Sequence, residues 1–457
     1  MVPALATSWS QSEDGRKWTF QLRQQVKFHD GTPFDADAVV FTFERLMQGT
    51  KHPHVHSDVI PYAQAFTEIK RVYATGPHTV VFELAEPSAV FEANLAMFPA
   101  SIVCPSAVKS EGEEFAIRPV GTGPFRFAGW TREQELTLAA FDGYWRGRPK
   151  IDRVVFIPVK ESAVRIQQLL RGEIHIADDL PPAELETLTG NPEITFQEQS
   201  GINLAYLGMQ TEKPPLDSPL VRQAIWHAID KRALIEVAYS GHARPAVNPL
   251  PPTLWGWHDG IKDREFDLAS ARQLMDAARN ESGFSLPVTL DLFVMASPRP
   301  YLQQPQEAAV FIKESLKPLG IDVRIVTSDI NQHFQRLSRG EHQLALAGWS
   351  SDNCDPDNFL YQLLDPDNIN TLGGNNIARY RNMEVHRLLL DGKRELDRGK
   401  REQLYRRAQE LIFADAPVVP LAHTNVKIAQ RAELKGYRLH PTAIPWLRQA
   451  YFEGPRR

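Results

Sequence analysis

An apolar run that ends in an acidic loop constrains the fold of this chain more than any other segment. Residues 344–347 are Leu-Ala-Leu-Ala, a short run typical of a buried strand. The loop after it holds three carboxylates, Asp352, Asp355 and Asp357. Pro356 follows Asp355 and predicts a helix start, because aspartate caps a helix and proline fits its first turn. The segment therefore predicts a strand that brings an acidic loop to one edge of a sheet.

The segments upstream of this run alternate between strand and helix patterns. Strand-like runs cover 286–296 and 321–327, and helical spacing covers 304–319 and 331–338. With the run at 344–347, the order is β-α-β-α-β. Because right-handed crossovers place such strands parallel, their C-terminal ends share one edge. Open α/β sheets bind ligands at that edge.

One cation and one anion follow two of these strand ends. Arg299 comes after the first strand, and Asp352 follows the last. A guanidinium pairs with a carboxylate through two parallel hydrogen bonds. Because Asp355 is better placed to cap the next helix, Asp352 is left for another partner. Together the two charges suit a ligand with a carboxylate and an amine, whereas the alternative is a solvated arginine and a capping aspartate.

Length and composition limit the architecture and the partners. A chain of 457 residues exceeds one hydrophobic core, so we expect two or three lobes. With 51 basic and 56 acidic residues the net charge is −5, and no basic stripe is present. Nucleic acids and anionic membranes are therefore poor partners, and no apolar run is long enough to span a bilayer. Cys104 and Cys354 form no disulfide framework, although one bridge between them stays open.

Several motifs spread along the chain carry a family resemblance. They are LATSW at 5–9, VKFHDGTPF at 26–34, DAVVFTF at 37–43, PVGTGPF at 119–125, PPTLWG at 251–256 and the Trp349 loop. On these motifs the chain resembles the extracytoplasmic solute-binding proteins of bacterial ABC importers, in the large peptide-binding family 5. Within that family it is most similar to the dipeptide-binding proteins, on Arg299-Pro300-Tyr301 and on Asp352.

The resemblance implies an α/β fold of the periplasmic-binding-protein type (cluster C), with two lobes and a hinge of two crossing strands. We expect residues 1–143 to form an extra mixed α+β subdomain of the first lobe, because alternating strand patterns dominate there. From Tyr144 the pattern changes to α/β, with a buried strand expected at 154–159. The α/β core of the first lobe would then comprise 144–211 and 425–457, and the second, ligand-binding lobe 212–424.

The resemblance also assigns roles to individual residues. Arg299 would bind the C-terminal carboxylate of a peptide, and Asp352 its α-ammonium group. Four further candidates for lining the pocket are Tyr301, Trp349, Ser350 and Ser351. For the two aromatic residues, packing into the core at a strand end is the alternative. The expected partners are a dipeptide and the permease subunits of an ABC transporter, with the chain itself a monomer.

The first residues of the chain contain neither a charged n-region nor an apolar h-region, so no export signal is visible. The resemblance implies an export or lipoprotein signal and a further segment before this start, supplying a strand and a ligand-facing loop to the first lobe. We therefore expect an N-terminally truncated chain from a periplasmic or extracytoplasmic protein.

Other ligands and other protein classes stay open. Proteins of this fold also take up oligopeptides, haem and antimicrobial peptides, and an axial haem ligand would come from Tyr301, His333 or Cys354. A cytoplasmic sensor module with the same fold is one alternative, and a peptide hydrolase is another. No nucleophile elbow, zinc-protease motif or phosphate-binding loop is present, so we predict no catalytic residue, cofactor or metal ligand.

Overall fold

A computed structural model describes residues 2–55, 63–369 and 375–454. Its α-helices are α1 (Ala36–Gln48), α2 (Phe91–Asn94), α3 (Pro105–Glu111), α4 (Ser162–Leu170), α5 (Pro182–Glu186), α6 (Pro219–Ala228), α7 (Lys231–Tyr239), α8 (Leu268–Ser282), α9 (Pro305–Leu316), α10 (Ile330–Ser338), α11 (Asp357–Leu364), α12 (Met383–Arg394) and α13 (Arg398–Asp415).

The strands are β1 (Ala6–Gln11), β2 (Lys17–Leu22), β3 (Ile69–Gly76), β4 (Thr79–Leu84), β5 (Phe125–Thr131), β6 (Glu135–Ala140), β7 (Arg153–Phe156), β8 (Ile176–Asp178), β9 (Ile194–Ser200), β10 (Asn203–Met209), β11 (Ala243–Pro245), β12 (Val288–Met295), β13 (Ile321–Ser328), β14 (Leu344–Ser350), β15 (Val418–Arg431), β16 (Leu434–Lys435) and β17 (Tyr451–Phe452). The largest sheet has the order β11-β15-β10-β14-β12-β13, and β8 and β9 also pair with β15.

The predicted β-α-β-α-β unit is confirmed as β12-α9-β13-α10-β14. Strand β12 pairs in parallel with β13 along its full length and with β14 at Leu292 and Phe293. The first four residues of β14 are buried, as the apolar run indicated. The helix after the acidic loop is also confirmed, because α11 begins at Asp357 and the Asp355 carboxylate accepts its amide hydrogen at 3.0 Å.

Strand β15 joins two parts of the molecule. Its first half pairs with β10 and β11, and its second half pairs with β8 and β9. Strands β9 and β10 therefore pair with different halves of β15. The chain passes from the part that pairs with the second half of β15 to the part that pairs with its first half at residues 201–202. The predicted boundary between residues 144–211 and 212–424 lies one strand further along, after β10. In the structure the chain crosses before β10, because β10 is buried throughout and pairs with β14 from Asn203 onward.

Residues 1–143 contain a four-stranded antiparallel sheet of order β1-β2-β4-β3, and α1 contacts β3 and β4. The Asp35 carboxylate caps α1 by accepting the Ala38 amide hydrogen at 3.0 Å. Aromatic rings fill the space between helix and sheet, as in the edge contact of Phe43 with Phe82 at 4.8 Å. This packing combines helix and antiparallel sheet in one core.

The expectation of a buried strand at 154–159 is wrong. Strand β7 ends at Phe156 and lies at one side of an antiparallel sheet of order β5-β6-β7. Only Val154 is buried on it, whereas Val155 and Phe156 are 40% and 39% exposed. Within the described residues β7 has one strand neighbour, so its apolar side chains lack the layer on both faces that a central parallel strand would have.

Three of the histidines that are buried in the described part of the chain, His333, His342 and His423, make the stability depend on pH, and His342 illustrates the effect. Its Nε2–H donates to the Ile377 carbonyl at 2.8 Å. Burial lowers the pKa of His333, His342 and His423 to about 4, mainly because the charged imidazolium is poorly solvated there. The unfolded chain takes up a proton below its pKa of 6.5 but the folded chain does not, so each histidine lowers stability as the pH falls from 6.5 towards 4.

We predict that His342→Gln makes the free energy of unfolding less dependent on pH. The wild-type chain should lose about 2 kcal/mol more than this variant between pH 7 and pH 5, since each pKa unit corresponds to about 1.4 kcal/mol. Urea unfolding of both proteins at the two pH values measures the difference, and the subtraction removes the contribution of the other groups. Equal losses in the two proteins would contradict the prediction.

Candidate functional site

The turn that carries the predicted arginine is held rigidly at the end of β12. Two reciprocal backbone hydrogen bonds of 2.9 and 2.8 Å close the turn at 299–302. The Thr424 hydroxyl on β15 donates to the Pro300 carbonyl at 2.9 Å, and the Tyr239 hydroxyl on α7 donates to the Tyr301 carbonyl at 3.0 Å. The turn is thereby attached to two other elements, and the arginine starts from a fixed backbone.

The side chain of Arg299 has an unused hydrogen-bond donor. Its Nε is buried and has no partner among the described residues. The guanidinium lies near Tyr301, where burial raises the pKa of the phenol and the positive charge partly offsets that rise. It also interacts electrostatically with Asp179. Because an unsatisfied buried donor costs about 1–3 kcal/mol, a ligand oxygen at this position would be stabilising.

Tyr301 joins the arginine turn to β14. A Cβ atom added to Gly348 would lie only 2.2 Å from the Tyr301 ring and 2.5 Å from the Leu204 carbonyl oxygen. Only glycine therefore fits at this point of the strand. Tyr301 is itself buried, at 5% exposure. The contact brings the turn after β12 and the end of β14 to the same edge of the sheet, as the parallel order predicted.

A buried asparagine orients the loop that holds Asp352. The Asn358 side-chain oxygen accepts the Asp352 amide hydrogen at 2.9 Å and the Trp349 indole hydrogen at 3.0 Å. The Asn358 amide group lies 3.4 Å from the Asp352 carboxylate. Asn358 is in the first turn of α11, and sequence reasoning missed it. Its position after Asp355-Pro356-Asp357 was the available signal.

The two predicted serines differ in their surroundings. Ser350 is half-buried and lies opposite Asn203 in the pairing of β14 with β10. Ser351 is 2% exposed, and its hydroxyl oxygen accepts the Cys354 amide hydrogen at 2.8 Å. Its own amide donates to the Ile202 carbonyl at 2.8 Å. Ser351 thus shapes the acidic loop, and a ligand contact for either serine stays a prediction.

A buried ion pair attaches the loop that holds Asp352 to helix α13. Arg401 on α13 donates to the Asp355 carboxylate at 2.9 Å, and both side chains are 7% exposed. The same guanidinium donates to the Tyr405 hydroxyl at 3.1 Å and to the Gly392 carbonyl at 2.8 Å. Burial raises the pKa of Asp355, and the charge of Arg401 partly offsets this rise. The loop that carries Asp352 is therefore anchored to the helical layer.

The loop also contacts residues 1–143. The Asn353 side-chain amide donates to the Asn94 side-chain oxygen at 2.8 Å. Further along, the Ala89 amide donates to the Lys393 carbonyl at 2.7 Å. The segment between Asp352 and α11 thus contacts the part of the chain before residue 144.

Other candidate chemistry is limited in the described part of the chain. Cys104 and Cys354 are both free thiols. Three side chains, Asp365, Asp367 and His386, place metal-ligand atoms within 4.8 Å of one another, but His386 already hydrogen-bonds Asp365 at 3.0 Å. Over 2–55, 63–369 and 375–454, no helix combines the length and apolar character of a membrane span.

Comparison with known proteins identifies the family. The family model described as "Bacterial extracellular solute-binding proteins, family 5 Middle" matches residues 1–371. The chain is 34% identical over 459 residues to the dipeptide-binding protein of Escherichia coli, an alignment that covers 96% of this chain and 84% of that protein. It is 36% identical over 455 residues to heme-binding protein A of Haemophilus influenzae, covering 96% and 82%.

Solved structures agree with this result. The periplasmic binding protein DppA of Helicobacter pylori, determined with the peptide STSA, superposes with a TM-score of 0.88 at 35% identity. The superposition covers 99% of this chain and 90% of that one, so the mixed α/β periplasmic-binding-protein fold is shared along the chain. The family binds solutes and is not enzymatic. The chain therefore belongs to family 5 of the bacterial extracellular solute-binding proteins, the peptide- and solute-binding components of ABC importers.

Proposed function

We propose that this protein captures dipeptides outside the cytoplasm and delivers them to the permease of an ABC importer. One observation carries the proposal: Arg299 and Asp352 follow β12 and β14, which pair in parallel and end at one edge of the sheet. Two extended residues at ~3.3–3.6 Å each separate the carboxylate and the ammonium group of a dipeptide by a short span. Neighbouring strands lie about 4.8 Å apart, so side chains that follow their ends can place two charges across such a span.

The roles of the individual residues follow from this arrangement. Arg299 binds the carboxylate, using the Nε donor that has no partner among the described residues. Asp352 binds the ammonium group and is oriented by Asn358. Tyr301, Trp349, Ser350 and Ser351 line the site, and backbone groups contact the peptide bond. Because the charged termini provide the affinity, the side-chain pockets accept many residue types.

Closure of two lobes encloses the ligand in this proposal. The proposed lobes keep their predicted ranges except at one boundary, which moves from 211–212 to the β9–β10 connection at 201–202. Residues 1–202 and 425–457 then form the first lobe, and residues 203–424 the second. The two connections, through 201–202 and through β15, are the hinge. The contact between Asn94 and Asn353 then belongs to the closed state. The chain works as a monomer in the periplasm or an equivalent extracytoplasmic space.

The Asp352→Asn variant tests the amine-binding role. We predict that it weakens binding of a dipeptide with a free amino group at least tenfold, because a buried ammonium group loses its charged partner. An N-acetylated dipeptide should bind the variant and the wild type with similar affinity. Calorimetric titration measures both. Asp322→Asn, which removes an exposed carboxylate on β13, is the matched control. Equal losses for the two ligands would remove Asp352 from this role.

Haem is the second candidate ligand, because heme-binding protein A of Haemophilus influenzae is 36% identical to this chain. The three side chains that could ligate iron are poorly suited. Tyr301 is 5% exposed and His333 is fully buried, so neither ring is accessible to a haem iron, and burial raises the pKa of the Cys354 thiol, which disfavours the thiolate that would bind the metal. Visible absorbance during haemin titration distinguishes the ligands, and native mass spectrometry of the purified protein identifies what it carries.

A further inference from the structure

Thr424 lies where β15 passes from one proposed lobe to the other. It pairs with Ala243 on β11, which belongs to the second lobe. The next residue, Asn425, already pairs with Ser200 on β9, which belongs to the first. Thr424 is 2% exposed, so its contacts are made within the fold. This residue therefore stands at one of the two proposed hinge connections.

The other hinge connection is hydrogen-bonded to the backbone of Thr424. The Thr424 carbonyl accepts the Gly201 amide hydrogen at 3.1 Å and a hydrogen from the Asn203 side-chain amide at 3.1 Å. The Asn203 side-chain oxygen accepts the Thr424 amide hydrogen at 2.9 Å. A Cβ atom added to Gly201 would lie 2.7 Å from the Thr424 carbonyl oxygen, so this close approach of the two connections requires glycine. Residues 201–203 and 424 thus form one hydrogen-bonded hinge unit.

Both segments that carry the predicted ligand charges are attached to this hinge unit. On one side, the Thr424 hydroxyl donates at 2.9 Å to the carbonyl of Pro300, the residue after Arg299. On the other side, the Ser351 amide at the start of the acidic loop donates to the Ile202 carbonyl at 2.8 Å. A ligand that bridges the two charges therefore acts on segments that are both bonded to the hinge unit.

The Thr424 hydroxyl can be removed while the rest of this arrangement is kept. The turn at 299–302 has its own two backbone hydrogen bonds, and the Tyr239 hydroxyl on α7 holds the Tyr301 carbonyl at 3.0 Å. The hydrogen bonds of residue 424 to Gly201 and Asn203 use its backbone alone, and valine suits a strand. Without the hydroxyl, the Pro300 side of the turn is no longer held from β15.

We propose that Thr424 is a positioning residue that couples the binding of the ligand carboxylate by Arg299 to closure of the two lobes. This role rests on the proposed function, in which Arg299 binds the carboxylate and the connections through 201–202 and β15 are the hinge. When the lobes close, the change of backbone direction at residue 424 moves the Pro300 side of the turn, and the guanidinium moves with it. Because such coupling is reciprocal, a carboxylate bound to Arg299 favours the closed arrangement of the hinge unit.

Calorimetric titration and small-angle X-ray scattering of Thr424→Val test the role. The variant should bind Ala-Ala at least tenfold more weakly than the wild type. Ala-Ala amide, which has no carboxylate for Arg299, should bind the two proteins with affinities within twofold of each other. At saturation with Ala-Ala, the radius of gyration of the variant should decrease by less than half of the wild-type decrease.

Two further variants control these measurements. Thr424→Ser restores the hydroxyl, so it should match the wild type in affinity and in the decrease of the radius of gyration. Thr289→Val removes an exposed hydroxyl near the start of β12, at the end of that strand away from Arg299, and should also behave like the wild type.

The outcomes separate this role from the proposed function. Wild-type affinity or the full wild-type decrease in radius of gyration in Thr424→Val overturns the role of Thr424 and leaves the dipeptide function intact. The role is overturned in the same way if Ala-Ala and its amide lose affinity equally, or if Thr424→Ser does not restore binding. Failure of the wild type to bind Ala-Ala or any other dipeptide overturns the dipeptide function itself, and the role of Thr424 with it.

Discussion

Replacing Arg299 with alanine is expected to weaken dipeptide binding by roughly 30-fold to several thousand-fold. The ligand carboxylate would be left in the cleft without its charged partner, at a cost of about 2–5 kcal/mol. The free energy of unfolding should change little, because the variant loses the interactions of the guanidinium with Tyr301 and Asp179 but also removes a buried Nε donor that has no partner among the described residues. Calorimetric titration of the variant with a dipeptide measures the affinity, and urea unfolding measures the stability.

Two variants control this result. Arg299→Lys keeps the charge but loses the planar pair of donors, so its affinity should lie between those of the wild type and the alanine variant. Arg244→Ala removes an exposed arginine on β11 and should bind normally. An Arg299→Ala protein with wild-type affinity would show that the carboxylate binds elsewhere.

The second large effect is expected at the buried ion pair below the acidic loop. We predict that Arg401→Ala lowers the free energy of unfolding by about 3–5 kcal/mol, because it leaves Asp355 buried without a counter-charge. Asp357 lies beside it, and burial already raises its pKa to about 7, so a second charged carboxylate there is poorly compensated. Urea unfolding at pH 7.5 measures the loss.

A double variant distinguishes the ion pair from packing. Asp355→Asn with Arg401→Met removes both charges but retains an acceptor for the Asp357 amide, and it should recover most of the lost stability. Arg387→Ala, an exposed arginine on α12, should change the free energy of unfolding by less than about 0.5 kcal/mol. If Arg401→Ala unfolds like the wild type, the ion pair does not hold the loop.

The parallel unit and its two charged ends were predictable because their signals are local. The periodicity of apolar residues in 286–350 distinguishes three strands from two helices, and the crossover rule then sets their direction. Arg299 and Asp352 follow directly from the ends of these strands. The family was predictable for a different reason, since its motifs are spread along the chain and the match to residues 1–371 confirms them.

The burial of a single strand was harder to predict, because it depends on which strands and layers pack against that strand on each side. The apolar run at 154–159 has the composition of a core strand, yet Val155 and Phe156 are exposed since β7 pairs only at one side within the described residues. The change between the two halves of the large sheet was misplaced for the same reason. Strand β10 is apolar along its length, so its sequence does not indicate which neighbouring strands it joins. Only its pairing with β14 shows that it belongs with the β12-β13-β14 unit.

The sequence by itself determined the α/β class, the family and the position of two charged residues after strands that end at one edge of a sheet. Only the tertiary structure decided which residues support them. Arg401 lies 46 positions from the aspartate that it pairs with, and Thr424 lies 124 positions from the carbonyl that it holds. Contacts of this kind form between residues far apart in the chain, and they leave no periodicity in the sequence between them, because the folded sheet alone brings their side chains together.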